Sequence, residues 1–265
     1  MSGGQRRHFW AALAFLSVVM VCLLLVLLPS CGGEAETTDP PKQSTASETQ
    51  TPTPIPTPGQ PEETVAPVEI PVDFSELQAG NPDIYAWLSL PDAGIDYPVV
   101  QRFGDDSYYL RRDVDGKYAI GGSLFTEFRY NVTDFSDPVT VIYGHAMDNG
   151  TMFGQLQSWS QTADLGENAG FTIYQPGRRL TYRVFAAVPY DSSHVLYYHN
   201  FHEEQVYTEF FDDVFATRDL HAVLDPEGRP EYGDKVVILA TCLRGNSSRR
   251  FLVMGVLTED TTALS

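Results

Sequence analysis

Cys242 ends an apolar run, Val236-Val237-Ile238-Leu239-Ala240-Thr241-Cys242, and two arginines follow at Arg249 and Arg250. The other two cysteines, Cys22 and Cys31, lie in or beside an N-terminal apolar segment, so Cys242 has no disulfide partner in the part of the chain whose composition can fold. A lone thiol near cations is a candidate nucleophile, because the reactive species is the thiolate and positive charge favours it. A buried, inert cysteine at the end of a strand is the other reading, and free cysteines are often that. A cysteine nucleophile needs a base or ion-pair partner, usually histidine. Of six histidines, His8 precedes the apolar segment, and His194, His199, His202 and His221 fall in a polar stretch where they read as solvated. His145 follows the strand-like Thr140-Val141-Ile142-Tyr143 and Gly144, and precedes the loop Ala146 to Gly150. A Gly-His pair there presents its side chain at the rim of a sheet. A structural role fits the same placement, so His145 gains weight only beside Cys242.

The elements that must position these groups are mostly strands. Strand-like runs cover Ile95 to Gln101, Ser123 to Phe125, Thr140 to Tyr143, Gly170 to Tyr174, Arg179 to Tyr190, Lys235 to Thr241 and Phe251 to Leu257. Asp115-Gly116 and Pro176-Gly177 mark turns between some of them. Short strands joined by turns predict a mainly β fold, a barrel or a sandwich. Phe74 to Leu88 reads as helical with a break near Gly80-Asn81-Pro82. Val206, Phe210, Phe211, Val214 and Phe215 recur at helical spacing over 203–217, the pattern of an amphipathic helix packed on a sheet.

Residues 1–31 read as a cytoplasmic tip and membrane anchor. Phe9 to Leu28 carry no charge, and a helix of that length spans about 30 Å, the thickness of a bilayer core. Arg6 and Arg7 precede it, which keeps the N-terminus inside and sends the rest of the chain outside the cell. An uncleaved single-pass anchor is one form. A lipid anchor is another, since Leu28-Pro29-Ser30-Cys31-Gly32 resembles a lipobox. Residues 32–69 are rich in Thr, Pro, Glu, Ser and Gln and read as a disordered, fairly stiff spacer. Residues 70–265, about 195 in all, suffice for one domain with a sizeable core. A formal net charge of −18 argues against nucleic acid and against adhesion of the domain to anionic lipid. There is no glycine-rich phosphate loop, CxxC pair or HExxH, and no cofactor or metal is expected.

Several motifs together resemble the class B sortases. Asn81-Pro82-Asp83-Ile84-Tyr85-Ala86-Trp87, Ile95-Asp96-Tyr97-Pro98-Val99-Val100-Gln101, Tyr108-Tyr109-Leu110 and Gly122-Ser123-Leu124-Phe125 match the class in its order. Tyr143-Gly144-His145-Ala146-Met147 with Gly150-Thr151-Met152-Phe153 is similar to its histidine segment. Leu239-Ala240-Thr241-Cys242 is similar to its cysteine signature, and Arg250 before an apolar strand with Gly255 to its arginine strand. The resemblance covers roughly residues 72–258.

It implies an eight-stranded β-barrel with N-terminal helices and one long helix before the cysteine strand; the periodic 203–217 stretch falls where that helix belongs. It implies a transpeptidase that cuts a C-terminal sorting signal of a secreted protein and holds the acyl part as a thioester. The acyl group then passes to an amine, on a peptidoglycan precursor or a pilin lysine. His145, Cys242 and Arg250 become the catalytic set, with Thr241 beside the substrate. Arg249 competes with Arg250, but strand neighbours point to opposite faces, so only one can enter the site. Arg244, in the loop after Cys242, reads as a rim residue. The chain departs from the class at Ile238, where Thr is usual, at Ala240, where Ser is frequent, and at Asp105-Asp106, where Asp-Asn is frequent. No particular sorting motif is therefore expected. A secreted cysteine endopeptidase that gives the same acyl-enzyme to water is the rival enzyme, and a non-catalytic wall-binding module the rival from another class.

Overall fold

The chain folds around a run of strands whose order is set by hairpins and two parallel crossovers. The computed structural model describes residues 69–162, 165–166 and 169–262. The anchor and nearly all of the spacer lie outside the described residues. Among the described residues no helix is long and apolar enough to cross a membrane.

Helix α1 (Phe74–Gly80) opens the domain, capped by Asp73, whose side chain accepts from the Ser75 and Glu76 backbone N–H groups. The helical reading stops there. Pro82 cannot continue a helix, and β1 (Ile84–Leu90) follows. Its even-numbered residues Ile84, Ala86, Leu88 and Leu90 are buried while Tyr85, Trp87 and Ser89 are half-exposed. That period of two is a strand signal, which the broken helical spacing of Ile84, Trp87 and Leu88 had masked. β1 pairs antiparallel with β2 (Ile95–Val100), and Trp87 Nε1 donates to Asp96 Oδ1 at 2.7 Å across the pair.

The remaining strands are β3 (Leu124–Phe125), β4 (Val139–Tyr143), β5 (Gly170–Gln175), β6 (Arg178–Tyr190), β7 (Val223–Leu224), β8 (Val236–Leu243) and β9 (Asn246–Thr262). They lie in the order β5-β1-β2-β3-β4-β8-β9-β6, and β5 pairs again with β6. That second pairing closes an eight-stranded barrel, with β7 added to β6 beyond the end of β5. Closure leaves no open sheet edge among the eight. The β2–β3 and β4–β8 pairs are parallel and the rest antiparallel.

β8 is buried on both faces, which is why it reads as an unbroken apolar run. Val237 and Leu239 belong to the barrel interior with Leu88, Val99, Leu124, Ile142, Phe251 and Val253. Val236, Ile238 and Ala240 belong to a second layer with Leu252, Met254 and helix α3 (Glu204–Phe215). α3 buries Tyr207, Phe210, Phe211 and Val214, and Phe185 of β6 meets Phe211 edge-on at 5.8 Å. Each aromatic taken out of water there contributes about 1.5–3 kcal/mol. The helical period matches α3, although Tyr207 rather than its half-exposed neighbour Val206 is the buried residue. A short helix α2 (Val195–Tyr198) lies between β6 and α3.

Candidate active site

The strand register brings the three predicted groups to one end of the barrel. β8 and β9 form a hairpin in which Cys242 lies directly opposite Arg250. Arg250 Nη1 is 3.8 Å from Cys242 Sγ. On the other side of β8, parallel β4 matches Tyr143 with Ala240, and Gly144 N–H continues the ladder to Ala240 O at 3.1 Å. Two residues further along each strand are His145 and Cys242. The thiol thus has a cation on one neighbouring strand and an imidazole on the continuation of the other. Cys242 is a half-buried free thiol.

His145 does not hydrogen-bond the thiol. Its Nε2 lies 2.8 Å from the backbone carbonyl of Leu110, in the 3₁₀ turn Tyr108–Arg111 between β2 and β3. A carbonyl only accepts, so Nε2 carries the hydrogen and, in the neutral ring, the Nδ1 lone pair is left for other chemistry. The Leu110 carbonyl therefore orients the ring and selects its tautomer. In the sequence Leu110 falls within Tyr108-Tyr109-Leu110, a motif that assigns it no role.

Gly144 lets the backbone make this approach. A Cβ there would lie 2.5 Å from Leu124 Cδ2 and 2.6 Å from Phe153 Cδ2, both on fully buried side chains. Gly144→Ala is expected to destabilise the domain by about 1–3 kcal/mol through overpacking. In a domain of this size that lowers the thermal midpoint by about 2–12 °C. A midpoint within 1 °C of the wild type would mean that the end of β4 yields without strain.

Arg249 points elsewhere, as strand alternation required: its Nη2 donates to Asp219 Oδ2 at 3.1 Å. Arg244 is not a merely solvated rim residue, since its Nη2 donates to Gly154 O at 2.9 Å. Thr241 is 2% exposed and its hydroxyl has no hydrogen-bond partner. Strand alternation sets it on the side of Leu239, opposite Ala240 and Cys242.

Beside Arg250 lies a cavity of about 270 Å³. Ala240, Leu252, Tyr143 and Phe125 line it together with Leu110, and the Ser192–Val195 loop forms another part of its wall. Two carboxylates also reach it. Asp106 Oδ2 is 3.2 Å from Arg129 Nε, while its Oδ1 is buried without a hydrogen-bond partner. Glu127 Oε2 is 2.7 Å from His194 Nε2. His194 is therefore not solvated as expected. Its Nδ1 accepts from Tyr197 N–H at 3.1 Å, capping α2, and its Nε2 lies against the Glu127 carboxylate without a well-formed hydrogen bond. His199 is likewise engaged, through Nδ1 with Val195 O at 2.9 Å. Burial pushes the Glu127 carboxyl up from its ordinary range, with His194 opposing. Burial, reinforced by Glu127, also pushes the Tyr143 phenol up; its hydroxyl lies against that carboxylate without a well-formed hydrogen bond. Two of the three departures from the class pattern, Asp106 and Ala240, line this one cavity. The third, Ile238, is fully buried in the layer under α3.

A closed barrel that sets a free thiol opposite an arginine, with a histidine one strand away, has the architecture of a cysteine transpeptidase. Comparisons with known proteins agree. The chain is 30% identical over 179 residues to a Sortase B of Listeria monocytogenes, a match spanning 66% of this chain and 68% of that one. It is 24% identical over 170 residues to Sortase B of Staphylococcus aureus, spanning 64% and 67%. Among solved structures it is similar to a Streptococcus pyogenes class B sortase, with a TM-score of 0.59, 28% identity, and 71% and 98% of the two chains covered. The fold of Clostridium perfringens sortase B matches with a TM-score of 0.58 at 24% identity, covering 70% of this chain and 99% of that one. No protein-family model matches the sequence. The chain belongs to the class B sortases and is a sortase-type cysteine transpeptidase.

Proposed function

We propose that the protein is a membrane-tethered, extracytoplasmic sortase that joins secreted proteins bearing a C-terminal sorting signal to an amine at the cell surface. The observation that carries the proposal is the pairing of Cys242 with Arg250 across the β8–β9 hairpin, with His145 two residues beyond the end of adjoining β4. In this reading the Cys242 thiol gives its proton to His145 and the resulting thiolate attacks the scissile carbonyl. The C–N bond breaks, the departing amine takes a proton from His145, and the acyl group remains as a thioester. An incoming amine then attacks the thioester, His145 takes its proton, and Cys242 leaves as thiolate. Arg250 stabilises the oxyanion of both tetrahedral intermediates, a role suited to a charge that cannot be switched off near neutral pH. The expected contact of Thr241 with the substrate is not part of this reading, since Thr241 is 2% exposed and strand alternation turns it away from Cys242.

Staphylococcus aureus sortase B has been solved in a substrate complex, and a sortase B in a complex with Gly3. Those relatives support a sorting peptide and an amine as the two substrates here. The Streptococcus pyogenes relative is involved in pilus biogenesis, so the acceptor is a peptidoglycan precursor or a pilin lysine. The apolar segment Phe9 to Leu28 supports tethering, as a single span or beside a lipidated Cys31. The cavity lined by Asp106 and Ala240 is where the peptide preference of this chain is read.

The test is product identity when sorting-signal peptides are supplied with and without an amine such as triglycine. Ligation that displaces hydrolysis as the amine rises is the expected result. Hydrolysis alone at high amine would replace the transferase with an endopeptidase.

A further inference from the structure

We propose that Gln157 is a positioning residue for Cys242. This rests on the reading of Cys242 as the nucleophile. Gln157 lies in the 3₁₀ helix Leu156–Gln161, between the histidine loop and β5, and is 7% exposed. Its carboxamide is used at both ends. Nε2 donates to the Cys242 carbonyl at 3.0 Å, and Oε1 accepts from the Arg244 backbone N–H at 2.6 Å. One side chain thus grips the peptide groups on both sides of Leu243.

The grip falls where the sheet itself fails. The β8–β9 register is regular from Val236 to Cys242 and slips between Cys242 and Leu243. Up to Cys242 the ladder fixes the backbone; beyond the slip that register stops, and Gln157 holds the peptide groups that immediately follow the thiol-bearing residue. Peptide planarity extends the effect: holding the Cys242 carbonyl fixes the whole Cys242–Leu243 unit. The same segment is tied to the histidine. Arg244 Nη2 donates to Gly154 O at 2.9 Å, and Phe153 N–H donates to His145 O at 2.9 Å. Gln157 and Arg244 therefore couple the tip that follows Cys242 to the loop that begins at His145. A displacement of about 1 Å at reacting groups can cost about 10²-fold in rate, so a tether there acts on turnover rather than on peptide affinity.

The experiment uses the full chain with Gln157→Met, which removes both hydrogen bonds at similar volume, and Gln157→Glu, which keeps the acceptor for Arg244. The readouts are kcat and KM with a sorting peptide, and the pH profile of Cys242 alkylation by iodoacetamide, followed by peptide mass so that Cys22 and Cys31 do not interfere. Gln157→Met is expected to lower kcat about 10- to 100-fold with KM within about threefold, by the misplacement argument, and to shift the alkylation midpoint. Gln157→Glu should retain more kcat than Gln157→Met, and its carboxylate should move the midpoint upward. If Gln157→Met does not fold, the Gln157→Glu profile alone decides. A lowered thermal midpoint with unchanged kcat and an unchanged alkylation profile would overturn the proposal and leave Gln157 a structural residue. Should the wild type turn over no peptide while the alkylation profile still shifts, the positioning role stands and the transpeptidase reading falls.

Discussion

Replacing Cys242 with alanine should abolish thioester formation and reduce kcat/KM by at least about 10⁴-fold, the scale seen when a covalent nucleophile is removed from a preorganised site. The fold should survive. Cys242 is only half-buried, and its thiol contact is with Arg250 rather than with the core. The serine variant sharpens the argument. A hydroxyl at the same place loses nearly all activity, because an alcohol ionises far less readily than a thiol and is the poorer nucleophile. Mass spectrometry of the protein after incubation with a sorting peptide reads the outcome directly. The wild type should gain the acyl mass on the peptide containing Cys242, and both variants should not. An acyl adduct elsewhere, or turnover by Cys242→Ala within tenfold of the wild type, would remove Cys242 from the mechanism.

Much of this was legible along the chain because it depends on local pattern. β6, β8 and the centre of β9 announce themselves through β-branched and aromatic runs, and α3 through its 3.6-residue period. Arg250 could be preferred over Arg249 by alternation alone, and the pairing of Arg249 with Asp219 bears that out. β1 was misread because the same residues satisfy two periods over a short window, and its partner strands decide between them. β3 and β7, two residues each, are too short to carry a pattern, although the run Ser123 to Phe125 was marked by its glycine and apolar residues.

The cavity was not legible at all. Asp106, Glu127, Tyr143, His194, Ala240 and Arg250 come from six separate stretches, and only the closed barrel assembles them. His194 and His199 sit in polar sequence and so read as solvated, yet backbone groups of α2 engage both through Nδ1. Gln157 shows the same limit from another side. A glutamine among Ser and Gln residues carries no signal of its own, and its meaning comes from a slip in a distant strand register.

The second large effect belongs to Arg250. Arg250→Lys keeps a positive charge but replaces a planar fork of donors with a single ammonium on a shorter, more mobile stem. The donor would no longer be fixed where the oxyanion forms. Loss of one such preorganised donor costs about 10²–10³-fold in kcat, and kcat should fall more than KM rises, since the developing charge exists in the transition state and not in the bound peptide. Arg250→Gln removes the charge as well and should be worse, since neither a fixed fork of donors nor a cation then faces the developing oxyanion. Arg249→Gln is the control on the adjacent residue. Its guanidinium pairs with Asp219 away from the thiol, so kcat should stay within about threefold of the wild type by the small worth of a partly exposed pair. Its effect is on stability and carries a sign. The Asp219 carboxyl is held below the usual range first by the His221 backbone N–H and also by Arg249. A depressed carboxylate adds stability above its unfolded pKa and loses it as pH falls through the folded value. The small deficit in thermal midpoint of Arg249→Gln should therefore shrink on acidification below the ordinary carboxylate range. Were Arg249→Gln to lose as much turnover as Arg250→Lys, the two strand faces would have been assigned the wrong way round.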